Sequence, residues 1–132
     1  MNKLNKILVI NGPNLNLLGI REPHIYGKIS LKEIENNLVK YGKKISYNVH
    51  CTQNNNEGKL VEIVQRAYED YSGIIINAGG YTHTSIALMD ALKFFSKIGK
   101  LNQLTLLLLC LLTNIIFSFK NLFCFKLFCI PS

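Results

Sequence analysis

A phenol that could act as a base, Tyr26, stands five residues after a guanidinium, Arg21, in a long irregular stretch, "INGPNLNLLGIREPHIYG". A guanidinium close to a phenol stabilises the phenolate, so it lowers the phenol pKa from an ordinary value of about 10. Tyr26 would then act as a general base, and an irregular loop of this length is typical of an active-site lid. The alternative is structural: the Tyr26 ring anchors the loop on the core, and Arg21 is a solvated surface charge.

The second candidate stretch, "NAGGYTHTS" from Asn77 to Ser85, has the pattern of a strand end, a glycine pair, a turn and a helix start. Backbone N–H groups at such a junction can bind an oxygen-rich ligand. Within it, His83 could donate a hydrogen bond to a substrate hydroxyl, or it could cap the helix. The stretch has neither the G-x-G-x-x-G spacing of a dinucleotide fold nor the G-K-[ST] of a phosphate loop, which argues against nucleotide binding.

On the helix that follows, Asp90 stands among apolar residues in "IALMDALKFF". A carboxylate in apolar surroundings needs a partner, and a contact with a neighbouring subunit would supply one. His24 and His50 have no comparable context, so they are interpreted as ordinary loop and strand residues.

Charge and cysteine patterns argue against several other classes of function. The formal net charge is +7, but lysine and arginine are scattered, whereas nucleic-acid binding requires basic residues to cluster. The 4 cysteines include no C-x-x-C pair and have no His at metal-ligand spacing, so neither a disulfide framework nor a zinc site is expected. The first residues have too short an apolar stretch for a secretory signal, which predicts a cytoplasmic protein.

Three apolar segments predict the strands that would position the candidate residues. "KILVIN", Lys6 to Asn11, is apolar on both faces and rich in β-branched residues, as in a strand buried inside a parallel sheet. "KISYNVHC", Lys44 to Cys51, predicts a second strand, and "GIIINAGG", Gly73 to Gly80, predicts a third. Polar segments follow Asn11 and Asn77. Because doubly wound sheets bind ligands outside the carboxyl ends of their strands, both segments should face one pocket.

Helical periodicity alternates with these strands. "SLKE" begins a helix with Ser30 as its N-cap and Glu33 completing a capping box, and Gly42 supplies the stop. The apolar spacing predicts a second helix over 57–71 and a third over 84–95. Strands that alternate with helices of this length form right-handed βαβ units, which predicts an α/β fold with a parallel sheet.

The composition changes at Lys100, which divides the chain into a domain over 1–100 and an apolar tail over 101–132. All 8 acidic residues precede this point. The run from Leu104 to Phe119 is strongly apolar, but its 16 residues fall short of the roughly 20 that span a bilayer, and it contains Asn114. The tail has no strand–helix alternation that would supply a fourth strand to cover the third.

Two long motifs resemble the N-terminal signatures of the type II 3-dehydroquinate dehydratases. They are "ILVINGPNLNLLGIREPHIYG" and "IIINAGGYTHTSIALMDAL", and the resemblance covers about residues 5 to 98. It implies a flavodoxin-like, doubly wound parallel sheet of order 2-1-3-4-5 and a dodecamer built from trimers, with no cofactor or metal. The implied reaction is an anti elimination of water from 3-dehydroquinate through an enolate, a step of the shikimate pathway.

The same resemblance implies roles for individual residues. Tyr26 would remove the proton next to the substrate carbonyl, and Arg21 would keep Tyr26 anionic. Asn14 would help position the water that stabilises the enolate oxygen. The substrate-binding residues would be Asn77, Gly79, Gly80, His83 and, reaching the site of a neighbouring subunit, Asp90.

After Ile98 the sequence departs from the family, because "GKLNQLTLLLL" stands where a strand bearing the general-acid His is expected. The carboxylate-binding Ser, a later substrate-binding Arg and the last two strands also have no counterpart. An A/T-rich gene read out of frame would give such a composition, so we expect a truncated or frameshifted member with an incomplete site and little or no turnover. The alternatives are a non-catalytic remnant and a membrane-associated protein, although the apolar run is short for a membrane span.

Overall fold

The computed structural model describes residues 5–97, with the side chains of Tyr26, Ser96 and Lys97 excepted. The predicted tail over 101–132 and its alternatives therefore lie outside the described residues. Within 5–97, no helix is both long and apolar enough to cross a bilayer.

The described residues form an α/β unit around a three-stranded parallel sheet of order β2-β1-β3. The elements are, in chain order, β1 (Lys6–Asn11), a 3-10 turn (Leu15–Leu17), α1 (Pro23–Tyr26), α2 (Leu31–Lys44), β2 (Asn48–Gln53), α3 (Glu57–Asp70), β3 (Gly73–Asn77), α4 (Tyr81–Thr84) and α5 (Ile86–Lys97). The predicted fold class is confirmed, and the strand order agrees with the first three strands of the order 2-1-3-4-5 that the resemblance implies.

β1 is the central strand, and it has the predicted bounds. Lys6 is paired with Asn48 of β2, and Ile7 is paired with Gly73 of β3. Both pairings are parallel, so the carboxyl ends of all three strands lie at one edge of the sheet. The strand is apolar on both faces because each face is covered by a helical layer.

Two apolar clusters lie on opposite faces of the sheet. Leu8 and Ile10 of β1 pack with buried residues of α3 and α5, whereas Ile7 and Val9 pack with Val49 and the apolar side of α2. Successive residues of a strand point to opposite faces, so β1 alone contributes to both clusters. This arrangement is the doubly wound architecture that the sequence predicted.

The start of α2 is as predicted, but its end is not. The Ser30 side chain accepts a hydrogen bond from the Glu33 N–H, and the Glu33 carboxylate accepts one from the Ser30 N–H, each over 3.3 Å. Gly42 does not stop the helix, which continues to Lys44. A Cβ on Gly42 would collide with the Val49 side chain, so this glycine permits close packing of α2 on β2. The left-handed backbone comes later, at Ser46, with φ 63°.

Three other boundaries of strands and helices differ from the predicted ones. The second strand was expected over Lys44–Cys51, but the residues up to Lys44 belong to α2 and the strand begins at Asn48, opposite Lys6. The third strand ends at Asn77 rather than at Gly80. The last helix begins at Ile86 instead of Thr84, because a separate turn, α4, precedes it.

Candidate functional site

The two signature segments meet at the carboxyl edge of the sheet. The Gly12 N–H donates a 2.7 Å hydrogen bond to the carbonyl oxygen of Asn77. A Cβ on Gly12 would lie 2.5 Å from the carbonyl oxygen of Ala78, closer than side-chain carbons are found to approach, so only glycine fits here. The polar segments after β1 and β3 therefore begin side by side, as the sequence predicted.

The glycine pair after β3 forms a turn against the first segment. Gly79 has φ 55°, and a Cβ there would lie 3.1 Å from the carbonyl oxygen of Pro13. The Gly79 N–H donates to the Asn77 Oδ1 atom over 3.1 Å, so the Asn77 side chain supports the turn. Among the described residues, no heavy atom lies within 4 Å of a Cβ on Gly80. This turn thus leaves open space beside Gly80.

Asn14 lies at the beginning of the loop that follows β1, with a left-handed backbone of φ 67° and ψ −5°. Asn tolerates this conformation better than most residues. Its N–H donates to the Asn55 Oδ1 atom over 3.0 Å, and its carbonyl oxygen accepts from the Leu17 N–H over 3.0 Å. The Asn14 side chain makes no capping hydrogen bond to the 3-10 turn, and the residue is exposed.

Three residues of the site were missed from the sequence: Gln53, Asn55 and Tyr81. The Gln53 Nε2 atom donates to the Asn55 Oδ1 atom over 2.9 Å and to the Gly12 carbonyl oxygen over 3.2 Å. The Tyr81 hydroxyl donates to the Asn55 carbonyl oxygen over 3.0 Å. All three lie at or after the carboxyl end of a strand, and Gln53 and Asn55 belong to the end of β2 and the segment that follows it, where no candidate was predicted from the sequence.

The loop carrying Arg21 and Tyr26 is more regular than predicted. It contains the 3-10 turn and α1, where the Gly27 N–H donates to the Pro23 carbonyl oxygen over 3.0 Å. Regular hydrogen bonds over three to four residues lower the number of unsatisfied backbone groups in an exposed segment. Helices were predicted from apolar periodicity, and these short helices have none.

Arg21 is exposed and contacts its neighbour in the chain. The Arg21 Nε atom lies 3.4 Å from the Glu22 Oε2 atom, and the two side chains are 56% and 42% exposed. An ion pair so open to water contributes little stability and leaves the guanidinium able to exchange partners. The expected pairing of Arg21 with the Tyr26 phenol falls on a side chain outside the described ones, so it stays a prediction.

His83 lies on α4 and is exposed, one turn before α5. It is not the cap of the long helix, because the Ser85 hydroxyl accepts the capping hydrogen bond from the Leu88 N–H over 2.9 Å. Asp90 lies on α5 and is also exposed. In the single chain water can therefore solvate its carboxylate, and the expected contact with a neighbouring subunit stays a prediction.

Two titratable groups near β2 have perturbed pKa values but lie away from the glycine pair. Burial, followed by the charge of Glu35, raises the pKa of the Cys51 thiol to about 11, and the charge of Lys32 opposes this rise. Burial, followed by the charge of Asp70, raises the pKa of Tyr71, whose hydroxyl lies 2.8 Å from the His50 Nδ1 atom. Among the described residues, no three His, Cys, Asp or Glu side chains cluster closely enough to hold a metal ion.

Comparisons with known proteins agree with this geometry. The family model described as dehydroquinase class II matches residues 5–99. A 3-dehydroquinate dehydratase of Carboxydothermus hydrogenoformans is 56% identical over 92 residues, which are 70% of this chain and 60% of that protein. The 3-dehydroquinate dehydratase 1 of Agrobacterium fabrum is 52% identical over 92 residues, which cover 70% and 63% of the two chains.

Two solved structures are similar in both fold and sequence. The type II dehydroquinase of Butyrivibrio crossotus gives a TM-score of 0.68 at 48% identity, covering 70% of this chain and 64% of that chain. The type II dehydroquinase of Propionibacterium acnes gives 0.63 at 36% identity, covering 70% and 62%. The chain spans about three fifths of the length of the curated relatives described above.

Proposed function

Because the chain belongs to the class II dehydroquinase family, we propose that residues 5–97 form the part of a dehydroquinase site that binds 3-dehydroquinate and removes its proton. The reaction of this site would be the elimination of water to give 3-dehydroshikimate. The proposal concerns the described residues, since the whole activity of the relatives belongs to longer chains.

The observation that carries the proposal is the junction of the two signature segments. The Gly12–Asn77 hydrogen bond and the approach of Gly79 to Pro13 bring residues 12–14 and 77–80 to one edge of the sheet. In doubly wound sheets this edge is where ligands bind. Asn14, Gly79 and Gly80 are exposed or half-buried there, so a small polyhydroxylated ligand can reach their polar groups.

The chemistry assigned to this site begins with the Tyr26 phenolate. Its oxygen takes a proton from the carbon next to the substrate carbonyl, and the electron pair of the broken C–H bond enters the enolate. Asn14 helps to position the water that stabilises the enolate oxygen, and Arg21 keeps the phenol ionised. Asn77, His83, Gly79 and Gly80 bind the substrate, while Asp90 extends from the neighbouring subunit. The carbonyl then forms again from the enolate, whose electron pair makes the new C=C bond and expels the hydroxyl. In this chain solvent water would supply the proton with which the hydroxyl leaves as water.

The remaining features of the proposal follow the family resemblance. The protein is proposed to work in the cytoplasm, without a cofactor, and to assemble as a dodecamer built from trimers. Since the residues after Ile98 differ from the strand that carries the general acid, we expect slow or absent release of water by the chain of 132 residues. Loss of general-acid catalysis typically lowers a rate by a factor of about 10²–10⁴.

A titration of the isotope-labelled chain with 3-dehydroquinate, followed by NMR, tests the binding part of the proposal. Saturable shifts of the Asn14, Gly79 and Gly80 amides are expected, while the amides of α2 on the far face stay unchanged. Absorbance of the conjugated enone product, recorded in parallel, is expected to rise slowly or not at all. Unchanged spectra at millimolar substrate would contradict the proposed function.

A further inference from the structure

We infer that Gln53 and Asn55 are positioning residues that hold the proposed catalytic Asn14 in its left-handed conformation at the carboxyl edge of the sheet. Both residues lie in the polar segment at the end of β2, and neither has an assigned role in the site described above. We call their two amide side chains the Gln53–Asn55 pair.

The Gln53–Asn55 pair connects the end of β2 to the loop after β1. The Asn55 Oδ1 atom accepts two hydrogen bonds, from the Asn14 N–H over 3.0 Å and from the Gln53 Nε2 atom over 2.9 Å. The Gln53 Nε2 atom also lies 3.2 Å from the Gly12 carbonyl oxygen and 3.4 Å from the Asn16 Oδ1 atom. All the partners of this nitrogen are acceptors, so the position requires a side chain that donates hydrogen bonds.

The backbone at Asn14 explains why support is needed. With φ 67°, Asn14 occupies a region that side chains disfavour, and the residue is exposed to water that would compete for its N–H. A hydrogen bond from this N–H to Asn55 favours the left-handed state over its alternatives. The Asn14 side chain makes no capping bond to the turn that follows, so it remains available to a ligand or an ordered water.

Asn55 also connects with the second signature segment. Its carbonyl oxygen accepts a hydrogen bond from the Tyr81 hydroxyl over 3.0 Å, and Tyr81 lies on α4, two residues before His83. One residue thus contacts the segment of Asn14 through its side chain and the segment of His83 through its backbone. The spacing between Asn14, assigned to the water, and His83, assigned to the substrate, therefore depends on both contacts of Asn55.

The kinetic consequence of this geometry rests on the proposed function. If Asn14 positions the water at the enolate oxygen, its displacement should slow proton removal more than it weakens substrate binding, because small misplacements of such groups cost rate. The structural part does not depend on activity, since the effect of removing the Asn55 Oδ1 acceptor from the Asn14 N–H can be measured directly.

Three variants of the full chain separate positioning from general stability. Asn55→Leu keeps the size of the side chain but cannot accept hydrogen bonds, whereas Asn55→Asp keeps the acceptor. Asn56→Ala is the matched control in the next residue, because the Asn56 Oδ1 atom caps α3 by accepting from the Lys59 N–H over 3.0 Å. Gln53→Met is a second disrupting variant, for use where Asn55→Leu fails to fold.

Amide hydrogen exchange of Asn14, measured by NMR, is the primary test. We expect Asn55→Leu and Gln53→Met to accelerate exchange at Asn14 by about fivefold or more, the factor that corresponds to one net hydrogen bond of ~1 kcal/mol. Asn55→Asp should remain within twofold of the parent chain, and Asn56→Ala should leave Asn14 unchanged while loosening α3. Exchange at Asn14 within twofold of the parent in each disrupting variant that folds, or equal acceleration in Asn56→Ala, would overturn the inference.

Deuterium incorporation into 3-dehydroquinate in D₂O supplies the second readout. Asn55→Leu should lower the maximal rate about tenfold with the half-saturating substrate concentration within threefold, and Asn55→Asp should restore most of the rate. An increase in half-saturation alone would contradict positioning. A parent chain that neither binds nor exchanges substrate would refute the proposed function, whereas the Asn14 amide would still decide the role of the Gln53–Asn55 pair.

Discussion

The Gly12 N–H donates a 2.7 Å hydrogen bond to the Asn77 carbonyl oxygen at the point where β1 and β3 have both ended. This bond is the last that joins the two strands before their loops diverge. It sets the separation of the two polar segments, because Asn14 lies two residues after Gly12 and Gly79 lies two residues after Asn77. The placement of residues farther along either loop therefore depends on this hydrogen bond.

Replacement of Gly12 by alanine tests this relationship. The added Cβ would lie 2.5 Å from the Ala78 carbonyl oxygen, and backbone on both sides must shift to accommodate it. We expect Gly12→Ala to lower the free energy of unfolding by about 1–3 kcal/mol, the usual range for overpacking. Urea denaturation followed by circular dichroism measures the change.

Gly80→Ala is the matched control for that substitution. Gly80 has right-handed helical φ and ψ of −59° and −28°, and among the described residues no heavy atom lies within 4 Å of an added Cβ. Alanine should therefore be neutral or stabilise by about 0.4–1 kcal/mol, through the lower entropy of the unfolded chain. Equal destabilisation by both substitutions would show that the close contact at Gly12 is not the cause.

Local signals predicted part of the fold well. The capping box at Ser30 and the strand at Lys6, which is apolar on both faces, are defined by residues close together in the sequence. Both elements begin where expected. The second strand was misplaced by four residues at its start because its position depends on pairing with β1, which short-range patterns do not contain. Gly42 was interpreted as a stop, but it is buried in α2 and packs against Val49.

The candidate site was predictable where residue type carried the signal. The glycine pair and Asn14 lie at the carboxyl edge as expected, whereas Gln53 and Asn55 were missed. Their place in the site depends on hydrogen bonds to residues 37 to 41 positions away in the chain. Local sequence patterns contain no information about such distant contacts. The alternative role considered for His83 was to cap the last helix. In the structure Ser85 caps that helix, α5.

The raised pKa of Cys51 predicts an unreactive thiol. With a pKa of about 11 instead of 9.0, the thiolate fraction near pH 8 is lower by roughly 100-fold, and the thiolate is the species that alkylates. We expect slow modification of Cys51 by iodoacetamide, accelerating with pH until about 11, as measured by mass spectrometry of its peptide. Because the folded state holds this proton more tightly, the free energy of unfolding should fall as pH rises from 9 towards 11.

Two neighbours of Cys51 should change its reactivity in opposite directions. Glu35→Gln removes a charge that raises the thiol pKa while keeping an acceptor for the Asn11 side chain, so alkylation should become faster. Lys32→Gln removes a charge that lowers the pKa, so alkylation should become slower. A midpoint near pH 9 in the parent chain, or the same direction of change in both variants, would contradict the cause assigned to the shift.

Arg21 should matter for proton removal, whereas its neighbour Glu22 should not be required. We expect Arg21→Gln to slow deuterium incorporation into 3-dehydroquinate about tenfold at pH 7.5, with a smaller loss at pH 10, where hydroxide helps to ionise the phenol; tenfold corresponds to ~1.4 kcal/mol. Glu22→Gln is the matched control, because it releases the guanidinium from the 3.4 Å contact. NMR measures both rates, and equal slowing by the two variants would argue against a role for Arg21 at the phenol.

Tyr26 is proposed to remove the proton next to the substrate carbonyl, and the rate of deuterium incorporation at that carbon measures this step. The full chain and Tyr26→Phe are compared with buffer alone in D₂O at pH 7.5, each followed by loss of the proton signal in NMR spectra. We expect incorporation at least tenfold above buffer for the parent chain and a rate equal to buffer for Tyr26→Phe. Incorporation that is equally fast in the parent and in Tyr26→Phe would contradict this role of Tyr26.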